Sequence, residues 1–142
     1  MTFEALANAI RTRFRTEIQV PQSIVVQYDN FPRPIDKTNA EVNQPEGVWV
    51  KLAVEEGITA QASLGIGKRF RVPGVMRAMI HQPIGLGDQA PRAMFDKINA
   101  KFRAVTAAGV TYSTPTMNGT RTEGRWFILD VSCPFYADDV ET

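Results

Sequence analysis

Residues 47–55, GVWVKLAVE, alternate between two kinds of side chain along their whole length. One set of alternate positions is aliphatic: Val48, Val50, Leu52 and Val54. The other set is mixed: Trp49, Lys51, Ala53 and Glu55. Successive side chains of a β-strand point to opposite faces, so this period of two predicts a strand with its aliphatic face buried. The protein is therefore expected to be built around a half-covered sheet.

Further strands are predicted on the C-terminal side of this segment. Glu56-Gly57 predicts a turn, residues 58–64 the returning strand of a hairpin, and residues 75–82 another strand. Between the last two, residues 65–74 (GIGKRFRVPG) form a basic segment bounded by glycines. We expect this segment to be an exposed loop.

Two amphipathic helices are predicted, over residues 2–16 and 89–108. Thr2 and Asp88 are the expected N-caps, and Gly109 is the expected residue after the second helix. Pro21 is expected to end the first helical unit. Their apolar residues recur at spacings of three and four: Phe3, Leu6, Ala7, Ile10 and Phe14 in the first, and Met94, Ile98, Phe102 and Val105 in the second.

The remaining segments predict strands and loops. Residues 23–28 are β-branched and short, which predicts a strand. Residues 29–46 hold three prolines and predict a long loop, and loops of this length are usually either functional or mobile. Residues 110–114 and 125–135 predict the strands of a hairpin that turns at Asn118-Gly119. The acidic residues 137–142 are expected to be a flexible tail.

The order of these elements predicts the fold class. Strands follow one another instead of alternating with helices, which favours an α+β fold. We expect a mainly antiparallel or mixed β-sheet packed by two α-helices, and the 142 residues are the size of a single domain.

Composition argues against several classes of function. A single cysteine, Cys133, excludes an intrachain disulfide and a Cys-rich zinc site. A single histidine, His81, would have to be the base of any Ser or Cys hydrolase, and the sequence holds no G-x-S-x-G nucleophile turn to pair with it. Gly65-Ile66-Gly67 begins like a nucleotide loop but precedes a predicted strand instead of a helix. The chain is therefore expected to be no enzyme and to hold no cofactor or metal. It has no apolar stretch long enough to span a membrane, and we expect assembly in the cytoplasm.

Charge is unevenly distributed although the net charge is only +1. Residues 57–121 carry a charge of +7 and the rest of the chain −6. Segregated charge favours head-to-tail contact between copies, unless folding mixes the segments in space. The candidate charge contacts between subunits are Arg11, Arg13, Arg15, Asp138, Asp139 and Glu141. The candidate contacts to DNA or a partner are Lys68, Arg69, Phe70 and Arg71, basic side chains next to an aromatic ring.

The order and spacing of several short motifs resemble the phage tail terminators, in particular a phage-related family similar to the lambda-type terminator. These motifs are Arg13-Phe14, Tyr28-Asp29-Asn30, Trp49-Val50-Lys51-Leu52, Ser63-Leu64-Gly65, Arg71 with Gly74, Pro83 with Gly85 and Gly87, Phe102, Gly124-Arg125-Trp126 and Pro134-Phe135-Tyr136. The resemblance implies a virion protein of the tail or neck that forms a homohexameric ring. Such a ring caps the tail tube, ends its polymerisation, joins a head-completion or connector protein, and lets DNA pass through its centre. The resemblance also makes the loops 29–46 and 65–74 candidate docking loops, where the ring would meet the tube or the connector.

Three other functions stay open from the sequence. The chain is also compatible with another neck or tube protein, such as a head-closure protein or the tube protein itself. The basic region at 57–121 is compatible with a nucleic-acid-binding module, whose affinity would fall steeply with salt. An enzyme would need His81 or a carboxylate in a pocket.

Overall fold

The computed structural model describes residues 1–61 and 70–138. The helical segments are α1 (Phe3–Phe14), a π-helical turn (Arg15–Gln19), α2 (Val20–Gln22) and α3 (Gln89–Phe102). The strands are β1 (Val25–Gln27), β2 (Trp49–Glu56), β3 (Ala60–Gln61), β4 (Phe70–Pro83), β5 (Thr106–Ala107), β6 (Val110–Tyr112), β7 (Thr116–Glu123) and β8 (Trp126–Asp138).

The strands form one mixed sheet in the order β1-β2-β4-β8-β6-β5. The strand β3 pairs with β4, and β7 pairs with β8. Only β1 and β2 are parallel among the described pairs, and all the others are antiparallel. Two helical units, one made of α1, the π turn and α2, the other of α3, pack on this sheet. The fold is α+β with a mixed, mainly antiparallel sheet, which confirms the predicted class.

The partner of β2 differs from the prediction. The strand β2 pairs with β4, from Trp49 opposite His81 to Glu56 opposite Gly74. The predicted turn at Glu56-Gly57 is wrong because the Gly57 N–H still donates to the Pro73 carbonyl of β4, at 2.6 Å. The short strand β3 then pairs with the beginning of β4. Residues 70–74 are therefore strand and not loop, and the rest of the predicted 65–74 loop lies outside the described residues.

The first helical unit runs beyond its predicted end. A π turn follows α1, and the chain stays helical to Gln22, where Ser23 takes a left-handed conformation with φ 53°. Pro21 does not end the unit because it lies in the first turn of α2, where no backbone N–H is required. The extension buries Ile18 in line with the predicted residues Leu6, Ile10 and Phe14.

The second helix ends earlier than predicted, at Phe102. Residues 106–112 form a β-hairpin instead, and Ala108 and Gly109 both have positive φ at its turn, 52° and 79°. Gly109 therefore serves this hairpin and does not cap the helix. Asp88 does precede the helix, but its carboxylate binds Arg92 and caps no backbone N–H.

The hairpin of β7 and β8 turns at a different place than the sequence predicts. The strand β7 runs through Asn118-Gly119, with a bulge between Met117 and Gly119, and the chain reverses at Gly124-Arg125. The Asn118 side chain donates to Ser132 Oγ at 2.8 Å, which holds this residue in the strand. Gly119, with φ 120°, provides the backbone conformation of the bulge.

The two remaining predicted loops are partly structured. The strand β8 extends to Asp138, and Ala137 is fully buried between Val72 and Val110, so the predicted flexible tail is wrong for 137–138. Residues 139–142 lie outside the described residues. In the 29–46 loop, Ile35 exchanges two backbone hydrogen bonds of 2.9 Å with Val26 of β1. This loop therefore covers the β1 edge of the sheet.

The hydrophobic core lies between the helices and one face of the sheet. Val50 and Leu52 of β2 are buried in it as predicted, and Val48 and Val54 pack against it. From the helices it takes Leu6, Ile10, Phe14, Ile18, Met94, Ile98 and Phe102. From the two central strands it takes Val72, Met76, Ala78, Ile80, Leu129, Val131, Cys133, Phe135 and Ala137.

Candidate assembly surface

The two faces of the sheet differ in what covers them. Both helical units contribute to the same core, as the 6.1 Å separation of the Phe14 and Phe102 rings shows. The opposite face, which we call the helix-free face, is covered by no helix within the described ranges. It carries the alternate residues of the central strands, among them Arg71, Arg77, Met79, His81, Trp126, Ile128, Asp130 and Asp138.

Ion pairs between neighbouring strands cross the helix-free face. Arg71 binds Asp138 through two hydrogen bonds of 2.7 and 3.1 Å. Arg77 binds Glu55 at 3.0 Å. Each of these side chains is one-third to three-fifths exposed, so water and salt screen the pairs and each adds little to stability. Their effect is to compensate charge along the face.

Folding mixes the two charged regions of the sequence. Four cation side chains of the basic region 57–121 pair with carboxylates from the acidic remainder of the chain. These pairs are Arg71–Asp138, Arg77–Glu55, Lys101–Glu17, and Arg121 with Glu123 and Asp130. The first two pairs form because β4 lies between β2 and β8, and Arg121 pairs with Asp130 because β7 lies beside β8. The pair of Lys101 and Glu17 joins α3 to the π turn. The division of charge along the sequence is therefore not kept in space among these residues.

The three arginines predicted to contact another subunit bind groups of their own chain. Arg11 lies 3.5 Å from the Asp29 carboxylate, and Arg15 donates to the Lys37 carbonyl at 2.6 Å. Arg13 donates to the Lys101 carbonyl, and its guanidinium lies 5.3 Å from the centre of the Phe102 ring. These contacts tie the first helical unit to neighbouring segments. The structure does not bring the three arginines to Asp138, and Asp139 and Glu141 lie outside the described residues.

The predicted basic and aromatic cluster is divided by the sheet. Phe70 and Arg71 are neighbours in β4, so their side chains point to opposite faces. Arg71 lies on the helix-free face, with its guanidinium 4.1 Å from the centre of the Tyr136 ring. Its hydrogen bonds with Asp138 raise the pKa of Arg71. Lys68 and Arg69 lie outside the described residues.

Three aromatic rings pack together on the helix-free face, near the beginning of β2. The rings of Trp49 and His81 stack at 4.0 Å with an angle of 22° between their planes. Trp126 meets Trp49 edge to face at 5.6 Å. Burial among these rings lowers the pKa of His81, whose Nδ1 lies 2.8 Å from the Met79 carbonyl. Cys133 faces the core on the other side of the sheet, so the two are not placed to act together.

A pocket of about 360 Å³ lies at the same end of the sheet. Its walls include Pro45, Pro83, Ile84 and Trp126, and its rim carries Glu46 and Arg125. The Arg125 guanidinium lies 4.5 Å from the centre of the Trp126 ring. Ile84 is 51% exposed and Leu86, in the same loop, is 67% exposed. Exposed apolar residues grouped around a pocket are typical of surfaces that bind a partner.

No spacing pattern in the sequence predicts this pocket. Three segments far apart in the sequence form it: the residues before β2, the end of β4 and the turn before β8. One sequence feature that points to this end of the sheet is Trp49, a large apolar residue among the polar positions of β2, whose ring packs against Trp126 of the pocket. The exposed Ile84 and Leu86 between glycines were a second signal.

Three searches for similar proteins give a fold but no function. No family model and no curated protein matches the chain. The chain is similar to a solved structure whose name states no function, with a TM-score of 0.61, 16% sequence identity, and coverage of 92% of this chain and 94% of the other. At that identity the likeness shows the fold alone.

Two further observations concern the described residues. They contain no group of three or more His, Cys, Asp and Glu side chains placed to hold a metal ion. None of their helices combines the length and apolarity needed to cross a bilayer.

Proposed function

We propose that this protein is a phage tail terminator, a structural protein that forms a ring on the end of the tail tube. The ring ends tube polymerisation and provides the surface to which the head-completion or connector protein binds. Its subunits are copies of this chain, six in the closed ring. The proposal rests on the resemblance of the motif order to that family.

The structural observation that carries the proposal is the placement of exposed apolar side chains at the two ends of the sheet. Ile84 and Leu86 are exposed at one end, and Ile58, after β2, is 89% exposed at the other. Single exposed apolar residues are common on protein surfaces, but Ile84 and Leu86 lie together in one loop beside a pocket, which is typical of a surface that a neighbouring subunit covers.

The helix-free face supports the same proposal. Its arginines are compensated by carboxylates on adjacent strands. A lumen through which DNA moves is expected to attract phosphate weakly, because several uncompensated contacts would hold the DNA in place. A face of compensated charges suits such a lumen, with Arg71 and the neighbouring basic residues near the DNA.

The proposal is tested by adding the purified protein to a polymerising tail tube protein and measuring tube lengths by negative-stain electron microscopy. We expect growth to stop and a six-fold ring with a central hole to cover one end of each tube. Tubes that grow equally long with and without the protein would contradict the proposal.

The alternatives give different results in the same preparation. A tube protein forms open cylinders by itself, whereas a terminator stops at one ring. A nucleic-acid-binding module binds duplex DNA with an affinity that falls by orders of magnitude between low and physiological salt if six or more phosphates are contacted. We expect only weak DNA binding, measured by fluorescence anisotropy.

A further inference from the structure

Ile58 packs against little of the part of the chain that the structure describes. Its side chain is 89% exposed, the highest value among the large apolar residues that the structure describes as exposed. It lies between β2 and β3, just beyond the C-terminal end of β2. Leaving an isoleucine in water forgoes the stabilisation that burial provides.

The pocket described above lies at the other end of the same strand. Gly47, which lines it, comes just before β2, and Ile58 follows the end of β2. Pro45, Pro83, Ile84 and Trp126 make its walls apolar, which suits a branched aliphatic side chain. One chain therefore has an exposed apolar side chain and an apolar pocket on opposite sides.

We propose that Ile58 of one copy of this chain enters the pocket of a second copy. This inference rests on the proposed ring, because it names the contact between ring subunits. The contact is head to tail: each copy uses two different surfaces, so the series continues until it closes.

Charge next to the two surfaces favours this partner. Glu56 and Arg125 make no ion pair within the described part of the chain. Glu56 lies two residues before Ile58, and Arg125 lies on the rim of the pocket. Insertion of Ile58 brings this carboxylate toward the guanidinium. Glu46 on the same rim opposes the approach in part, so the apolar contact supplies most of the affinity.

The contact also gives the ring a size. Residues 47 to 58 span about 36 Å at about 3.3 Å per residue, so six copies joined end to end form a ring about 70 Å across. In this arrangement β2 runs along the circumference.

The test uses two variants that each damage one side of the contact, Ile58→Asp and Ile84→Asp, with the association measured by analytical ultracentrifugation. Each variant alone is expected to associate at least 10- to 100-fold more weakly than the wild type, from the lost burial of one aliphatic side chain. In an equimolar mixture, the Ile84→Asp chains keep an intact Ile58 and the Ile58→Asp chains keep an intact pocket. It is expected to form heterodimers and nothing larger.

The control is Val20→Asp, which changes an aliphatic residue of α2 that is 44% exposed and does not line the pocket. This variant is expected to assemble like the wild type. Circular dichroism of all variants checks that they are folded. A second test exchanges the charges: Glu56→Arg or Arg125→Glu alone weakens association, and the double variant restores it.

Two results would overturn the inference. Variants that remain monomeric when mixed would mean that Ile58 and the pocket do not meet each other. A wild-type chain that stays monomeric at about 1 mM, near the weak end of the measurable range, would exclude the contact in the free protein. The proposed function survives either result if the protein still stops tube growth, and fails separately if it does not.

Discussion

The substitution Gly74→Ala is expected to destabilise the protein strongly although it adds a single methyl group. Gly74 lies in β4, between Glu56 of β2 and Phe135 of β8. An added Cβ would stand less than 3.0 Å from the Glu55 carbonyl oxygen and from Cζ of the Phe135 ring. The cost comes from this close approach, because the backbone at Gly74 is not in the left-handed region.

The magnitude follows from the two neighbours that would have to move. The Phe135 ring is 3% exposed and packs in the core, and the Glu55 carbonyl belongs to the β2–β4 pairing. Adding a methylene group to a well-packed core costs about 1 to 3 kcal/mol. Because both a backbone atom and a buried ring are involved, we expect about 3 kcal/mol. For a domain of this size that corresponds to a melting temperature about 10 °C lower.

Urea denaturation followed by circular dichroism measures this change. The matched control is Gly124→Ala, where φ is 59° and no atom lies within 4 Å of the added Cβ. Its cost is the left-handed strain alone, about 1 kcal/mol. In a double-mutant cycle, Phe135→Leu is expected to offset about 1 kcal/mol of the Gly74→Ala cost by removing the ring clash. A cost of Gly74→Ala no larger than that of Gly124→Ala would contradict this prediction. So would free energies of unfolding that simply add when Gly74→Ala and Phe135→Leu are combined.

Three further predictions concern buried polar groups. Burial lowers the pKa of His81 below 6.5, so protonation of this residue favours the unfolded chain. The contribution of His81 to stability is therefore complete above pH 6.5 and declines as the pH falls below that value. An NMR titration of this single histidine measures its pKa in the folded protein, and a value at or above 6.5 would contradict the prediction. Gln19→Leu is expected to cost about 1 to 3 kcal/mol, because it leaves the buried Tyr28 hydroxyl, which donates to Gln19 at 2.6 Å, without its acceptor. The Ile35 carbonyl, which accepts from Gln19 at 2.9 Å, keeps its bond from the Val26 N–H. Urea denaturation measures the cost, and a value below about 0.5 kcal/mol would contradict the prediction. Burial raises the pKa of Cys133 to about 11 and shields its thiol from solvent. A thiol reagent is therefore expected to label Cys133 only as fast as the chain unfolds. Immediate labelling of the native protein would contradict this prediction.

The parts of the fold that were predicted correctly depend on spacing within single segments. The alternation in residues 47–55 identifies which side of β2 is buried, and Val50 and Leu52 are indeed in the core. The helical stripes likewise identify Ile10 and Ile98 as core residues. These patterns are local because a strand or a helix places its own side chains with a set period.

The turns were predicted less well because a turn signal competes with pairing to distant strands. Asn118-Gly119 is a strong local signal, yet β7 continues through it along β8. Gly57 likewise stays bonded to Pro73. In both cases the backbone hydrogen bonds to a neighbouring strand outweigh a local preference of the order of 1 kcal/mol.

The candidate site was predicted only as a list of charges. Arg71 and Asp138 are 67 positions apart in the sequence and bind each other. Pro45, Ile84 and Trp126 come together in one pocket only because three chain segments end at the same side of the sheet. No spacing rule identifies such residues before the strand order is known.

The buried side of β2 and the core stripes of the helices follow from the amino-acid sequence, because side-chain direction repeats along each element, and the order of those elements predicts the class of fold. The strand partners, the neutralisation of the segregated charges and the position of the pocket opposite Ile58 follow only from the folded sheet. These features arise from pairing between distant segments, whose free energy depends on which backbone and side-chain groups meet when the whole sheet forms.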